Sequence, residues 1–351
     1  QTGVKSIEGA GEHPIDFWID FKGTIPEGAT PRCAIVRVRY HNYTCEHDIF
    51  VRQGYAPITI NGNAESNNNP AWTSYNVYRF DANNAPVYTK SPLEEGSLFR
   101  RGNRTAILAS NNDRSGFTFG VEPTGSFNVL EFGSATTSQK TWSQLAPSAD
   151  DVKSRFASWS IAGDHERIAT IEDFYTLEST SIHSNINKAY GVLYGDGATE
   201  TQKSVKEAFG YDHNEDPTNS KKGMRGCFVF NINNSHNIFF PIGKSGYGRR
   251  KGMTSNGEKV GALRYAQRTD YYNNDGTGNI QYVPLFYDLF ERPGAIYQCR
   301  NRLSSTGNDV RKSSAFDINY FTMGFEGFEN GASNNSDGSD SDACFIRTVK
   351  Y

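Results

Sequence analysis

The sequence predicts an α+β protein: a β-sandwich at the N-terminus, then a larger domain of short antiparallel strands with a few helices inserted. Three observations predict it. Apolar and polar residues alternate over short runs in both halves, the period of a half-buried strand. Aromatics make up 13% of the 351 residues, with 23 Phe and 19 Tyr, side chains that suit a pleated sheet. Helical spacing occurs in three places only and does not alternate with strands as a parallel βαβ fold requires.

Taken in order, "PIDFWIDFKG" places Ile15, Phe17 and Ile19 on one face. "CAIVRVRYHNY" sets Ile35, Arg37 and Arg39 against Val36, Val38 and Tyr40, and "HDIFVRQGYAPITI" continues the period. The asparagine-rich stretch Asn61 to Pro70 favours turns and separates two units, residues 1–64 and 65–351. Strands are then expected in "SYNVYRF", "SGFTFGV" and "FNVLEF". The three helices follow. "SADDVKSRFASWS" has acids after Ser148 and Val152, Phe156 and Trp159 on one face. "ATIEDFYTLESTSIH" has Thr170 as N-cap with Ile171, Phe174 and Leu177 inward. "TETQKSVKEAFGY" buries Val205 and Phe209 and stops at Gly210. Past Gly223 the chain returns to strands in "RGCFVFNI", "NIFFPIG", "GALRYAQR", "YVPLFYDLF", "AIYQCR", "AFDINYFTMGF" and "ACFIRTVKY".

Several chemistries fail on these residues. A net charge of −3 with 21% charged residues gives no general attraction to nucleic acid or an anionic membrane. No apolar run approaches the roughly 20 residues of a membrane span. The chain begins with Gln1 and is read as a processed piece, so an export signal or anchor belongs upstream. "PIGKSGYGRR" suggests a phosphate loop, but Ile238 holds the place of the first glycine and two glycines follow where a helix should start. The loop is therefore an apolar strand running into a cationic, glycine-rich turn. An EF-hand register puts Ser333 and Cys344, or Tyr271, where acidic ligands belong, which leaves Asp337, Asp340 and Asp342 as a polar loop or an irregular calcium site. The seven histidines form no H-x-x-x-H pair, and Asp212 to Asp216 reads as a solvated loop before it reads as a metal site. No G-x-S-x-G elbow occurs. We assign no catalytic residue, metal ligand or cofactor. Of the five cysteines, Cys33 and Cys45 either bridge a hairpin or are small buried residues like the rest.

Binding is easier to motivate. Tyr247, Arg249 and Arg250, with Tyr271, Tyr272, Asn273, Asn274 and Asp275, lie in polar, loop-like sequence. Aromatic faces beside amides and cations suit a sugar or a protein surface. The alternative is that these tyrosines cover the edge of the core.

"ERIATIEDF", Glu166 to Phe174, resembles the R-[LI]-P-T-x-x-E-[WF] string of C-type-lectin-like domains of the sulfatase-modifying and bacterial major-paralogue kind. Ala169 replaces the proline and Asp173 the glutamate. "CFIRTV", Cys344 to Val349, resembles the closing strand of such domains. "VLYGDGATET", "LRYAQR" and "YVPLFYDLFERPGAIY" resemble surface and fimbrial-tip proteins of Bacteroidales. The V-x-Q-G of Val51 to Gly54 is similar to bacterial immunoglobulin-like domains. The resemblance implies an immunoglobulin-like sandwich over 1–64 and a C-type-lectin-like domain over 65–351. It further implies an exported cell-surface or outer-membrane adhesin, not an enzyme. Its partners would be a glycan, a host or bacterial surface protein, or other pilus subunits, with membrane contact only through an upstream anchor. The calcium-lectin motifs E-P-N or Q-P-D with W-N-D are absent, and "EPT" at Glu122 lies ahead of the helices. The rival readings are a structural pilus subunit without a ligand and an enzyme on a lectin-like scaffold.

Overall fold

The last residues of the chain hold the sheets together. The computed structural model describes residues 22–40, 45–92, 94–100, 103–108, 125–145, 161, 165–178, 185–193, 224–241, 294–300, 315–319, 324–328 and 343–351. Among these the chain is mostly strand, in six sheets whose ladders are all antiparallel, with one short helix. Ala343–Cys344 pairs with Ser97–Arg100 at the edge of a five-stranded sheet. That sheet continues through Ala106–Leu108 and Ser126–Leu130 to Thr137–Thr141. Thr348–Lys350 lies inside a four-stranded sheet, between Glu166–Ile168 and Ala71–Trp72, with Ile58–Thr59 beyond. Between those two pairings the backbone bonds Gln298, Val77 and Ala169 in turn, through the carbonyls of Phe345, Ile346 and Arg347.

The sequence explains why this segment can reach so far. Phe345 and Val349 enter one core cluster, and Ile346 enters a second with Val77, Phe80, Phe99 and Leu130. The first cluster is aromatic at its centre. Trp72 meets Phe174 at 5.0 Å and Phe240 at 5.8 Å, and Tyr297 meets Phe240 at 5.4 Å and Phe345 at 5.8 Å. Edge-on and tilted rings of this kind gain beyond their buried area. Among the described residues this cluster has Phe, Tyr and Trp at its centre with Ile, Leu and Val around them.

The N-terminal hairpin, Arg32–Tyr40 with Cys45–Gln53, is a sheet of its own. Its register places Cys33 opposite Arg52 and Cys45 opposite Tyr40. The two cysteines thus sit at opposite ends, about 20 Å apart at a strand's rise per residue, and the bridge considered for them does not form. Cys33 is a free thiol. The boundary expected at residue 64 falls between Ile58–Thr59 and Ala71–Trp72, which are paired with each other.

The expected helix at Thr170 is present but short, Ile171–Tyr175. Thr170 caps it and Asp173 returns the bond, its Oδ2 2.8 Å from the Thr170 nitrogen. Leu177 and Glu178 then bond three residues back, and a chain wound that tightly does not propagate an α-helix. The other two expected helices, 148–160 and 199–210, lie outside the described residues. So do the strands expected at 115–121, 261–268 and 282–290, and nearly all of the one at 14–23.

Candidate functional site

All seven residues expected to bind ligand, Tyr247, Arg249, Arg250, Tyr271, Tyr272, Asn273 and Asp275, fall in segment 242–293, outside the described residues. What the structure does describe is the footing of that segment. The preceding strand, Asn237–Pro241, is buried throughout, and the following strand is Gly294–Gln298. The ring of Phe240 stands nearly perpendicular to that of Tyr297, and the Tyr297 hydroxyl is 3.5 Å from the Pro241 carbonyl. Phe240 and Tyr297, which flank segment 242–293 in sequence, therefore meet in one packed core.

Two guanidiniums, one fully buried and one half-buried, brace that core. Arg347, fully buried, donates to the Asn76 side chain at 2.8 Å and to the carbonyls of Thr73 at 2.9 Å and Phe239 at 3.1 Å. Its guanidinium lies 4.7 Å from the centre of the Phe240 ring. Arg52 donates to the carbonyls of Gly54 at 3.0 Å, and of Asn237 and Ala56 at 2.8 Å, and to the Ser74 hydroxyl at 2.8 Å. Burial pushes both guanidinium pKa values down. Backbone carbonyls supply the compensating dipoles, so each cation ties three or more segments together.

One surface feature escaped the sequence reading. Gly54, at φ +89°, turns the chain after the hairpin, and a Cβ there would meet Ile25 at 2.5 Å. The turn presents Tyr55, 44% exposed, with its ring 5.5 Å from that of Tyr75 at an angle of 44°. Ser74 donates to the Tyr55 carbonyl at 2.8 Å, and Arg52 holds Gly54 and Ala56 on either side. The signal was the string Gly54-Tyr55-Ala56-Pro57, an aromatic set between two turn-forming residues.

The remaining polar groups read as structure. Tyr88 and Thr348 both donate to Glu166, and burial with the Glu166 charge raises the Tyr88 pKa far beyond use as an acid. Burial pushes the Cys227 thiol up to about 12 despite Lys188 nearby, so it is protonated and a poor nucleophile at neutral pH. Among the described residues no three His, Cys, Asp or Glu side chains are grouped to hold a metal ion, and no helix is long and apolar enough to cross a membrane. The acidic stretch at 337–342 lies outside them. No family model, curated protein or solved structure matches this chain.

Proposed function

We propose that the chain is an adhesin-type module of a cell surface or fimbrial tip, binding a glycan or a protein through the loops that carry Tyr247, Arg249 and Arg250 and Tyr271, Tyr272, Asn273 and Asp275, all within segment 242–293. In this reading the hairpin belongs to an immunoglobulin-like unit and the larger region is a C-type-lectin-like domain, exported and without catalytic activity. The observation that supports the proposal is the packing of Phe240 and Pro241 against Tyr297, the described residues on either side of that segment. Loop residues that lie in the sequence between two strands packed in one core are the ones such a scaffold can present to a ligand. The segment's sequence includes Tyr247, Tyr271 and Tyr272, Arg249 and Arg250, and the amides Asn273 and Asn274, groups that stack and hydrogen-bond. The pairing of the strand at Ala71–Trp72 with the closing strand, next to the "ERIATIEDF" string, also favours the lectin-like assignment.

The test is an immobilised-glycan array and a panel of surface proteins, probed with the wild-type chain and with Tyr271→Ala and Arg249→Ala. Binding that falls about tenfold or more in either variant, with unchanged thermal unfolding, supports the reading. Absence of binding by the wild type, or equal binding by all three, rejects it.

A further inference from the structure

We infer that Arg52, Arg347 and Tyr297 together cap the outer edge of a sheet and keep the strand Asn237–Pro241 from pairing with a second copy of this chain. The cap is independent of what the chain binds.

Three side chains stand where the backbone of a further strand would. Asn237–Pro241 is the last strand of a three-stranded sheet, after Ile186–Leu193 and Met224–Asn231. The turn that joins it to Met224–Asn231 closes with the Asn231 nitrogen donating to the His236 carbonyl at 2.9 Å. Bonds of an antiparallel pair fall on alternate residues, so Ile238 and Phe240 bond inward, and Asn237, Phe239 and Pro241 turn their carbonyls outward. Each outward carbonyl meets a side-chain donor. Asn237 meets Arg52 at 2.8 Å, Phe239 meets Arg347 at 3.1 Å, and Pro241 meets the Tyr297 hydroxyl at 3.5 Å. The donors come from Cys45–Gln53, from the closing segment and from Gly294–Gln298. Among the described residues no strand pairs with this side of Asn237–Pro241.

The composition of the strand is the reason for a cap. Ile238, Phe239 and Phe240 stand in a row without a charge. A short uncharged run of high β-propensity is the kind that pairs edge to edge with its own copies. Natural edges are blunted by a charge, a proline or a cover. Here two cations reach the row, and Pro241 ends it because proline has no N–H to offer. A guanidinium donates and does not accept. It therefore satisfies the carbonyls without presenting a new row to the next strand, which an added strand would do. All five residues are buried, so pairing with a second copy requires the hairpin base or the closing segment to lift away. Removing a donor leaves a carbonyl that the N–H of a second copy can take.

The experiment is sedimentation velocity on the full chain over a range of concentrations, for the wild type, Arg52→Met, Arg347→Met and Tyr297→Phe. Methionine keeps an apolar stem and removes the donors. Arg52→Met and Arg347→Met should each self-associate at about tenfold lower concentration than wild type held at the same unfolded fraction by urea, the worth of about one hydrogen bond. Tyr297→Phe should shift it by about threefold or less, because Pro241 already ends the row. The deciding variant adds Phe239→Pro to Arg347→Met. The Phe239 N–H points outward with its carbonyl, so proline there spares the ladder and blocks the edge. It also loses the Phe239 ring packed on Phe228 and lowers stability further. Association through unfolded chains would then increase, whereas association through the edge should disappear. A return to monomer supports the cap. Association of the arginine variants at the same concentration as the urea-matched wild type overturns it, as does association that Phe239→Pro leaves unchanged or increases. If Arg347→Met does not fold, Phe239→Pro is added to Arg52→Met instead, with the same two outcomes.

Discussion

Arginine is used in opposite ways at the two ends of the N-terminal hairpin. At the outer end Arg37 and Arg39 face Asp48 and Glu46 across the strands, at 2.8 Å each, in a ladder open to water. At the base the half-buried Arg52, with the fully buried Arg347 next to the closing strand, meets carbonyl oxygens in place of carboxylates. The Asp48 side-chain bond raises the Arg37 pKa, whereas burial lowers those of Arg52 and Arg347. The difference teaches where the molecule places its specificity. A surface ion pair is replaceable by two hydrated ions, and little is lost. A buried guanidinium cannot be removed without stranding every carbonyl it served.

The sharpest way to break this contrast is at Arg347. Arg347→Ala strands the Asn76 amide oxygen and two carbonyls in a dry core, and should cost about 3–5 kcal/mol in urea unfolding. Arg347→Lys should recover less than half, since one ammonium cannot span acceptors on three segments that a planar fork reaches. A loss below about 1 kcal/mol for the alanine variant would place Arg347 with the surface arginines and dissolve the distinction.

Arg52 should come second, with a more local effect. Arg52→Ala removes four bonds, one to Gly54 and three that join the hairpin to Asn237, Ala56 and Ser74, at about 2–4 kcal/mol. The hairpin also leans on the neighbouring sheet through Phe50, stacked on Phe228 at 4.7 Å. Hydrogen exchange at Ile49 and Val51 should therefore speed up more than at Val229. Equal acceleration at both would mean that the hairpin and the main core open as one unit.

The pair Arg167 and Asp173 tests the middle of the range. Their side chains are 11% and 3% exposed, and Asp173 also closes the cap on Thr170. Asp173→Ala should cost about 1–3 kcal/mol and Asp173→Asn about half as much, because the amide oxygen still accepts from the Thr170 nitrogen. Equal costs for the two would assign the whole effect to the ion pair.

Much of this was legible in the sequence, for identifiable reasons. Period-two strands with one wet face, such as Arg32–Tyr40 and Cys45–Gln53, announce themselves. So did the Thr170 cap, because its signal is local chemistry. Ser97–Arg100 was missed because all four residues are buried and nothing alternates. Thr137–Thr141 was missed for the opposite reason. It is an edge strand of polar residues, recognisable only by its partner Ser126–Leu130. Ile186–Leu193 continues from Ile186 into Asn187 and Lys188 and carries Gly191, none of these three strand-formers, and it is held by a register of eight pairs with Met224–Asn231. The importance of Arg347 was hidden for a different reason. Position 347 breaks an apolar run, and only the fold brings Asn76, Thr73 and Phe239 to meet it. The Tyr55 shelf was likewise hidden, since its two tyrosines are twenty residues apart and meet only after the chain has turned at Gly54.

The smallest effect belongs to the outer ladder, and it is the informative control. Arg37 is 40% exposed and Asp48 17%, so their attraction acts mostly through water and is screened by salt. A double-mutant cycle of Arg37→Ala with Asp48→Ala should return a coupling of about 0.2–1 kcal/mol in low salt, shrinking by at least half in 1 M sodium chloride. Glu46 complicates the cycle, because it also lies 2.9 Å from Arg37, so the measurement should be repeated in a Glu46→Gln background. There the Arg37–Asp48 coupling should rise slightly, since Arg37 then has one acid in place of two. A coupling above about 2 kcal/mol that salt leaves unchanged would require a desolvated pair. It would mean that the outer face of the hairpin is covered in solution, and the ladder would then be an interface and not a wet edge.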